Sequence, residues 1–208
     1  MRSRPRRTAD RTALRDERRA TLLTAARDVF AQKGYHAATV DDITRAAGVA
    51  KGTFYLYFQE KREIYYEVVR SFLQLIKDIG RSVGESATGG TDFLSRAEHA
   101  AHELMRVFIA NSEMARLAYR ESMGLDPELE AMIKAFYREI AEVEAKNIQL
   151  GIDLGLFRPV NPLLVAYAHI GIIERVLLAM LDEGSGLPPP ERVVKELMDI
   201  AFDGLKKA

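Results

Sequence analysis

The sequence predicts an all-α protein, and three observations carry that expectation. Apolar residues recur at helical spacing: Leu22, Ala26, Val29 and Phe30 fall at i, i+4, i+7 and i+8. Cap and stop signals punctuate the chain, with Lys33-Gly34 closing one segment and Asp126-Pro127 and Asn161-Pro162 opening two others. The sequence shows no strand alternation, fixed-period repeat or low-complexity tract.

These signals divide the chain into about nine helices. The first runs from Asp16 to Lys33. Thr39 caps a short second helix over 40–47, with Asp41 and Asp42 in its first turn, where the helix dipole favours anions. Gly48-Val49 breaks it, and a third helix spans Lys51 to Phe58. Gln59-Glu-Lys-Arg62 opens a long helix to about Val83, with Ile64, Val68, Phe72, Leu75, Ile76 and Ile79 on one stripe. After the small, polar segment 84–91, helices are expected at 92–110, 112–123, 126–151, 161–182 and 190–206. The loop before the last of these is Gly184-Ser-Gly-Leu-Pro-Pro-Pro190.

Composition narrows the function classes. With 208 residues, 48% of them apolar and 29% charged, the chain has ordinary globular composition. Zero cysteines remove disulfide scaffolds, thiolate metal sites and cysteine nucleophiles together. No Gly-rich phosphate loop, Gly-x-Ser-x-Gly elbow or His-Glu-x-x-His is present, and Glu142 and Glu144 lie on different sides of a helix. The run His99-Ala-Ala-His102-Glu103 offers too few ligands for a metal. No enzyme, cofactor or metal site is expected. The first residues, Met1-Arg-Ser-Arg-Pro-Arg-Arg7, are basic rather than an apolar signal, so the expected compartment is the cytoplasm.

The formal net charge of zero hides an asymmetry. Residues 1–62 hold fourteen Lys/Arg against seven Asp/Glu; residues 63–208 hold sixteen against twenty-three. A basic N-terminal module facing a polyanion explains this, and so does a solvated basic tail.

Residues 40–59 read as a helix-turn-helix turning at Gly48, a residue free to take positive φ. Ile43, Ala47, Val49, Phe54 and Phe58 form its shared core. That leaves Lys51, Thr53, Tyr55 and Tyr57 outward: a cation, a hydroxyl and two phenols suited to phosphate oxygens and base edges.

Residues 16–62 closely resemble the DNA-binding domain of the TetR family of bacterial transcriptional repressors. The likeness runs through Ala25-Ala-Arg-Asp-Val-Phe30, Gly34-Tyr35, Ala38-Thr-Val-Asp-Asp-Ile43, Ala46-Ala-Gly-Val49 and Lys51-Gly-Thr-Phe-Tyr-Leu-Tyr-Phe58, and ends at Lys61. It covers the first third of the chain; the remainder matches the family in helix number, lengths and order. The resemblance implies a basic arm over 1–15, a three-helix reader over 16–62, and a helical-bundle ligand-binding and dimerisation domain over 63–208. Thr39 and Val40 would begin the helix crossing the DNA backbone, and Lys51, Gly52 and Thr53 would open the recognition helix. Tyr55 and Tyr57 would meet phosphates, although packing on the first helix is the other role open to them. Lys61 would meet a phosphate at the start of the fourth helix, and Gly52 would permit close backbone approach.

Two features of the second half bear on assembly and ligand. Residues 163–181 approach membrane-spanning length, but the adjacent Glu174 and Arg175 argue against lipid and for burial on all sides. The resemblance implies that the last two helices pair with their symmetry mates, with Ile170, Ile173, Leu177 and Met198 as interface candidates; an intramolecular bundle is the alternative. Met105, Phe108, Phe136 and Tyr137 are candidate pocket residues, suited to an apolar effector such as an acyl chain or aromatic compound and equally to a plain core.

The expected protein is therefore a homodimeric, ligand-responsive repressor, released from a palindromic double-stranded operator by a small hydrophobic or amphipathic effector. The long helix over 60–83 would couple pocket to reader. An activator or protein-gated regulator stays open, as does a helical ligand-carrier or small enzyme whose basic tail is incidental.

Overall fold

A computed structural model describes residues 6–85, 87, 89–112, 114–116, 127–182 and 184–205, with side chains from residue 13 onward. Residues 1–5 of the basic arm, residues 117–123 of the helix expected at 112–123, and the Asp126 cap lie outside the described residues. Eight helices are delimited among the described residues: α1 (Arg6–Ala37), α2 (Val40–Ala46), α3 (Lys51–Phe54), α4 (Lys61–Gly84), α5 (Gly90–Ala110), α6 (Pro127–Asp153), α7 (Pro162–Met180) and α8 (Pro190–Asp203). Residues 112 and 114–116 are helical as well, and no strand occurs among the described residues. The fold is all-α.

The chain divides into two compact units, Met1–Ser71 and Phe72–Ala208, and the division falls within α4. In the first unit α1 begins at Arg6, ten residues before the Asp16 start expected from sequence, so residues 6–15 have a helical backbone. Gly34 interrupts it with φ +72° and ψ 166°, the left-handed side that suits glycine. The core gathers Leu22, Ala26 and Phe30 of α1, Ile43 of α2, Phe54 and Phe58 around α3, and Ile64, Tyr65 and Val69 of α4. Phe30 meets Tyr65 edge-on with ring centroids 5.4 Å apart, and Tyr65 also packs on Tyr35 at 4.5 Å. Each fully buried large side chain stabilises this small unit by about 1.5–3 kcal/mol.

The second unit packs the C-terminal part of α4 with α5 to α8. One cluster joins Ile79 and Val83 to Phe93, Ile148, Phe157, Ala166 and Leu205; a second joins Met105 to Val193 and Val194. Small residues let α4 and α6 approach: a Cβ on Gly80 would sit 3.3 Å from Ile140 Cδ1, and one on Gly84 2.7 Å from Asn147 Oδ1. Buried Asn147 donates through Nδ2 to the Gly80 carbonyl at 2.9 Å, which satisfies its amide inside an apolar wall. Lys77 and Glu139 add an ion pair of 2.6 Å between the same helices.

Helix α7 differs from its neighbours. It is long and apolar enough by composition to cross a membrane, yet of its residues only Ala166 is buried. Leu164, Tyr167, Ala168, Gly171 and Ile172 are all exposed and fall at i, i+3, i+4, i+7 and i+8, a single stripe.

Candidate nucleic-acid interface and cavity

The helix-turn-helix is assembled by caps and one glycine. Thr39 caps α2: its hydroxyl oxygen accepts from the Asp42 amide at 3.1 Å, while the Asp42 carboxylate accepts from the Thr39 amide at 3.1 Å. Lys33 donates to the same carboxylate at 2.7 Å, and that hydrogen bond, followed by the one from Thr39, holds the Asp42 pKa down to about 2. Gly48 makes the turn with φ +66°. Phe54 and Phe58 then pin α3 against the core, both essentially inaccessible to solvent.

On the outward side Lys51, Gly52 and Tyr55 are exposed, whereas Thr53 and Tyr57 are half-buried. Lys51 pairs with Asp41 across the turn at 3.0 Å, and this hydrogen bond raises the pKa of its ammonium group. Gly52 has no positive φ, and a Cβ built on it would meet nothing within 4 Å. No contact among the described residues requires a glycine there. The Tyr57 ring lies under the Arg15 guanidinium, 6.0 Å from its centroid, so this half-buried residue packs on α1. The regular part of α3 ends at Phe54; beyond it Leu56 N donates to Thr53 O and Tyr57 N to Phe54 O in tight i→i+3 turns, and Phe58 N closes back on Phe54 O at 3.0 Å.

Lys61 has an occupation that the sequence does not announce. Its ammonium group donates to the Tyr35 and Ala38 carbonyls at 2.6 and 2.7 Å, with the His36 carbonyl at 3.4 Å, and it sits 4.4 Å above the Tyr35 ring. Partial burial lowers its pKa. Three carbonyls at the exit from α1 therefore engage an ammonium group with three donors, the group expected to meet a phosphate.

Two cavities adjoin in the second unit. The larger, about 220 Å³, is lined by Phe72 and Ile76 of α4, Phe108 of α5, Phe136 and Tyr137 of α6, and Glu174 of α7, among others. The smaller, about 160 Å³, reaches Met105, Phe93, Asn147 and Met198. Gly80, Leu104, Glu144, His169, Ile173 and Leu177 border both. Within this largely apolar lining, His169 Nδ1 lies 3.2 Å from Glu144 Oε1, and the Tyr137 hydroxyl donates to Glu174.

Residues 22–68 match the family described as bacterial regulatory proteins, tetR family. The HTH-type transcriptional regulator YhgD of Bacillus subtilis is 26% identical over 84% of this chain and 87% of its own length. The HTH-type transcriptional repressor KstR2 of Rhodococcus jostii is 26% identical over 95% of both chains. The crystal structure of the regulator FadR from Bacillus subtilis, in complex with stearoyl-CoA, shares the fold at TM-score 0.70 and 20% identity, over 89% of this chain and 98% of that one. Residues 22–68 carry the signature of the tetR family, and the chain is similar to HTH-type transcriptional regulators over most of its length. It is a DNA-binding transcriptional regulator.

Read as a TetR-family regulator, the chain brings Thr39, Val40, Lys51, Gly52, Thr53, Tyr55 and Tyr57 to one helix-turn-helix. Of the four pocket candidates, Phe108, Phe136 and Tyr137 line the larger cavity and Met105 the smaller. The four interface candidates border the cavities in the single chain. Ile170, Leu177 and Met198 are half-buried in the cavity walls, and Ile173, though 38% exposed, borders both cavities. The pairings of Glu144 with His169 and of Glu174 with Tyr137 are not readable from the sequence, because the partners lie 25 and 37 positions apart.

Proposed function

We propose that this TetR-family regulator is a homodimeric repressor acting in the cytoplasm. It binds a palindromic operator through Thr39, Val40, Lys51, Gly52, Thr53, Tyr55 and Tyr57, and a small hydrophobic or amphipathic effector in the α4–α8 cavities releases it. The observation that carries this reading is the presence, in one chain, of an outward helix-turn-helix and an apolar cavity of about 220 Å³ in the other unit. Lys61 contributes by fixing the α1 exit against the start of α4.

The dimer face is the exposed α7 stripe through Leu164, Tyr167 and Ile172, together with Ile200 of α8, which is 60% exposed. A contiguous apolar stripe on a soluble regulator favours a protein partner, and two-fold pairing of the readers suits a second copy of the chain.

Selection from random duplexes should recover an inverted repeat, with half-sites about one duplex turn apart (~34 Å) or a multiple of it. Recovery of single, unrepeated sites would oppose the two-fold reading. Leu164→Asp should convert the dimer to monomer or aggregate, because a sealed interface would bury an unpaired carboxylate. A Leu164→Asp protein that remains a stable dimer moves the interface off α7.

A further inference from the structure

The polar groups of the two cavities share one character. Glu144 and His169 border both cavities, and Glu174 borders the larger, where the Tyr137 hydroxyl donates to it. Among the described residues, neither lining contains a lysine or an arginine. Arg138 and Arg175, the sequence neighbours of Tyr137 and Glu174, are exposed. Around the carboxylates stand aromatic rings: Phe136 and Tyr137 lie 5.5 Å apart at an interplanar angle of 64°, and Phe108 lines the same cavity.

A carboxylate facing an apolar cavity is stabilised by whatever positive charge or donor enters beside it. Histidine and phenol supply donors here, and no permanent cation stands among the described lining residues. An entering anion would meet two carboxylates, one beside a histidine and one beside a phenol, in surroundings where hydrocarbon weakens solvent screening. An entering cation would find both carboxylates and the negative faces of the rings, the combination that recognises ammonium groups. Exclusion of the wrong charge contributes to specificity as much as attraction of the right one.

Resting on the effector-pocket reading above, we infer that the effector is a lipophilic cation: a quaternary or protonated amine on a hydrocarbon or aromatic body. The site rejects carboxylate- and phosphate-headed amphiphiles. Glu144 and Glu174 set that preference, and Phe108, Phe136 and Tyr137 hold the body and face the charge.

The test uses three probes with the same ten-carbon chain: decyltrimethylammonium, decan-1-ol and decanoate. Each is titrated calorimetrically into the full-length protein at pH 8, below its micellar concentration. Decyltrimethylammonium should bind at least about tenfold more tightly than decanol, and decanoate more weakly than decanol. In the double variant Glu144→Gln/Glu174→Gln the cation should fall to the affinity of the alcohol, while decanol binding, which reports an intact cavity, stays within about threefold of wild type. Decanoate binding as tightly as the cation overturns the inference, whether or not the variant folds, because that ranking is read on the wild type. Cation preference surviving in the double variant overturns it as well. Decanol binding without any charge preference sinks this inference alone; failure of all three probes to bind sinks the pocket reading with it.

Discussion

Replacing Gly52 by alanine separates fold from function at the reader. The residue sits inside α3, its φ is not positive, and an added Cβ would have open space around it. The folded protein should therefore tolerate the change. Removing the excess backbone freedom of glycine from a helix stabilises by about 0.5–1 kcal/mol, and for this single exposed turn the lower end applies. For a chain of this size that is a rise of about 1–2 °C in melting temperature. DNA binding should move the other way. If the glycine lets the backbone approach the duplex, a methyl group there holds protein and DNA apart. Loss of one charge-assisted hydrogen bond to phosphate costs about 1.5 kcal/mol per half-site, and two half-sites bring the total to about 3 kcal/mol. Operator affinity should fall more than about a hundredfold. Thermal unfolding and fluorescence anisotropy on the selected operator give the two readings. Gly52→Ala binding the operator as wild type does would refute close approach at this residue. A fall in melting temperature would refute the claim that the fold does not need the glycine.

Two further perturbations probe the same unit. Lys61→Met leaves the Tyr35 and Ala38 carbonyls without their ammonium donor, and each part-buried acceptor so stranded costs about 1–3 kcal/mol; chemical denaturation should show that loss without DNA present, and unchanged stability would return Lys61 to a phosphate-binding role. The Asp42 carboxylate, held down to about 2 by Lys33 first and Thr39 second, has a folded pKa below its ordinary value of 3.8. Its contribution is complete above that value and disappears as pH falls through about 2. Asp42→Asn should therefore lower stability at neutral pH and flatten its decline on acidification, and denaturation midpoints that fall in parallel for both proteins would contradict this coupling.

Much of the reader was readable from short-range chemistry. Thr39 as cap, Gly48 as turn and Phe54 with Phe58 as one buried face are signals set within a few residues, and each holds in the structure. The early start of α1 was hidden because residues 6–15 lack an apolar face, so periodicity is silent even where the backbone is helical. The end of α3 at Phe54 depends on tight turns with little compositional mark. Lys61 looks like a surface cation in sequence; only the fold brings the carbonyls of residues 35 and 38 to it. Helix α7 presents the opposite difficulty. Apolar on every side, it gives no periodic hint of which side faces out, so Leu164 and Ile172 could not be told from Ile170 and Leu177. In the structure the first two are exposed and the second two wall the cavity.

Helix α4 limits how a small molecule could act on the operator. Lys61, Ile64, Tyr65 and Val69 belong to the packing of the first unit, while Phe72, Ile76 and Gly80 of the same continuous helix line a cavity in the second. A ligand that binds equally well whatever α4 does shifts nothing, however tight its binding. Moving a regulator from 99% competent to 99% incompetent takes a differential affinity of about 10⁴, or about 5.5 kcal/mol. Two cavities in a two-fold dimer divide that demand, leaving about 2.7 kcal/mol for each, roughly a hundredfold preference. A displacement of α4 that changes the fit around one ammonium group and the aromatic rings beside it has enough energy at its disposal for that, since desolvated cation–π contacts reach about 2 kcal/mol before the carboxylates are counted. The cavity therefore needs no large ligand to act as a switch; it needs one whose charge is met in only one position of the helix.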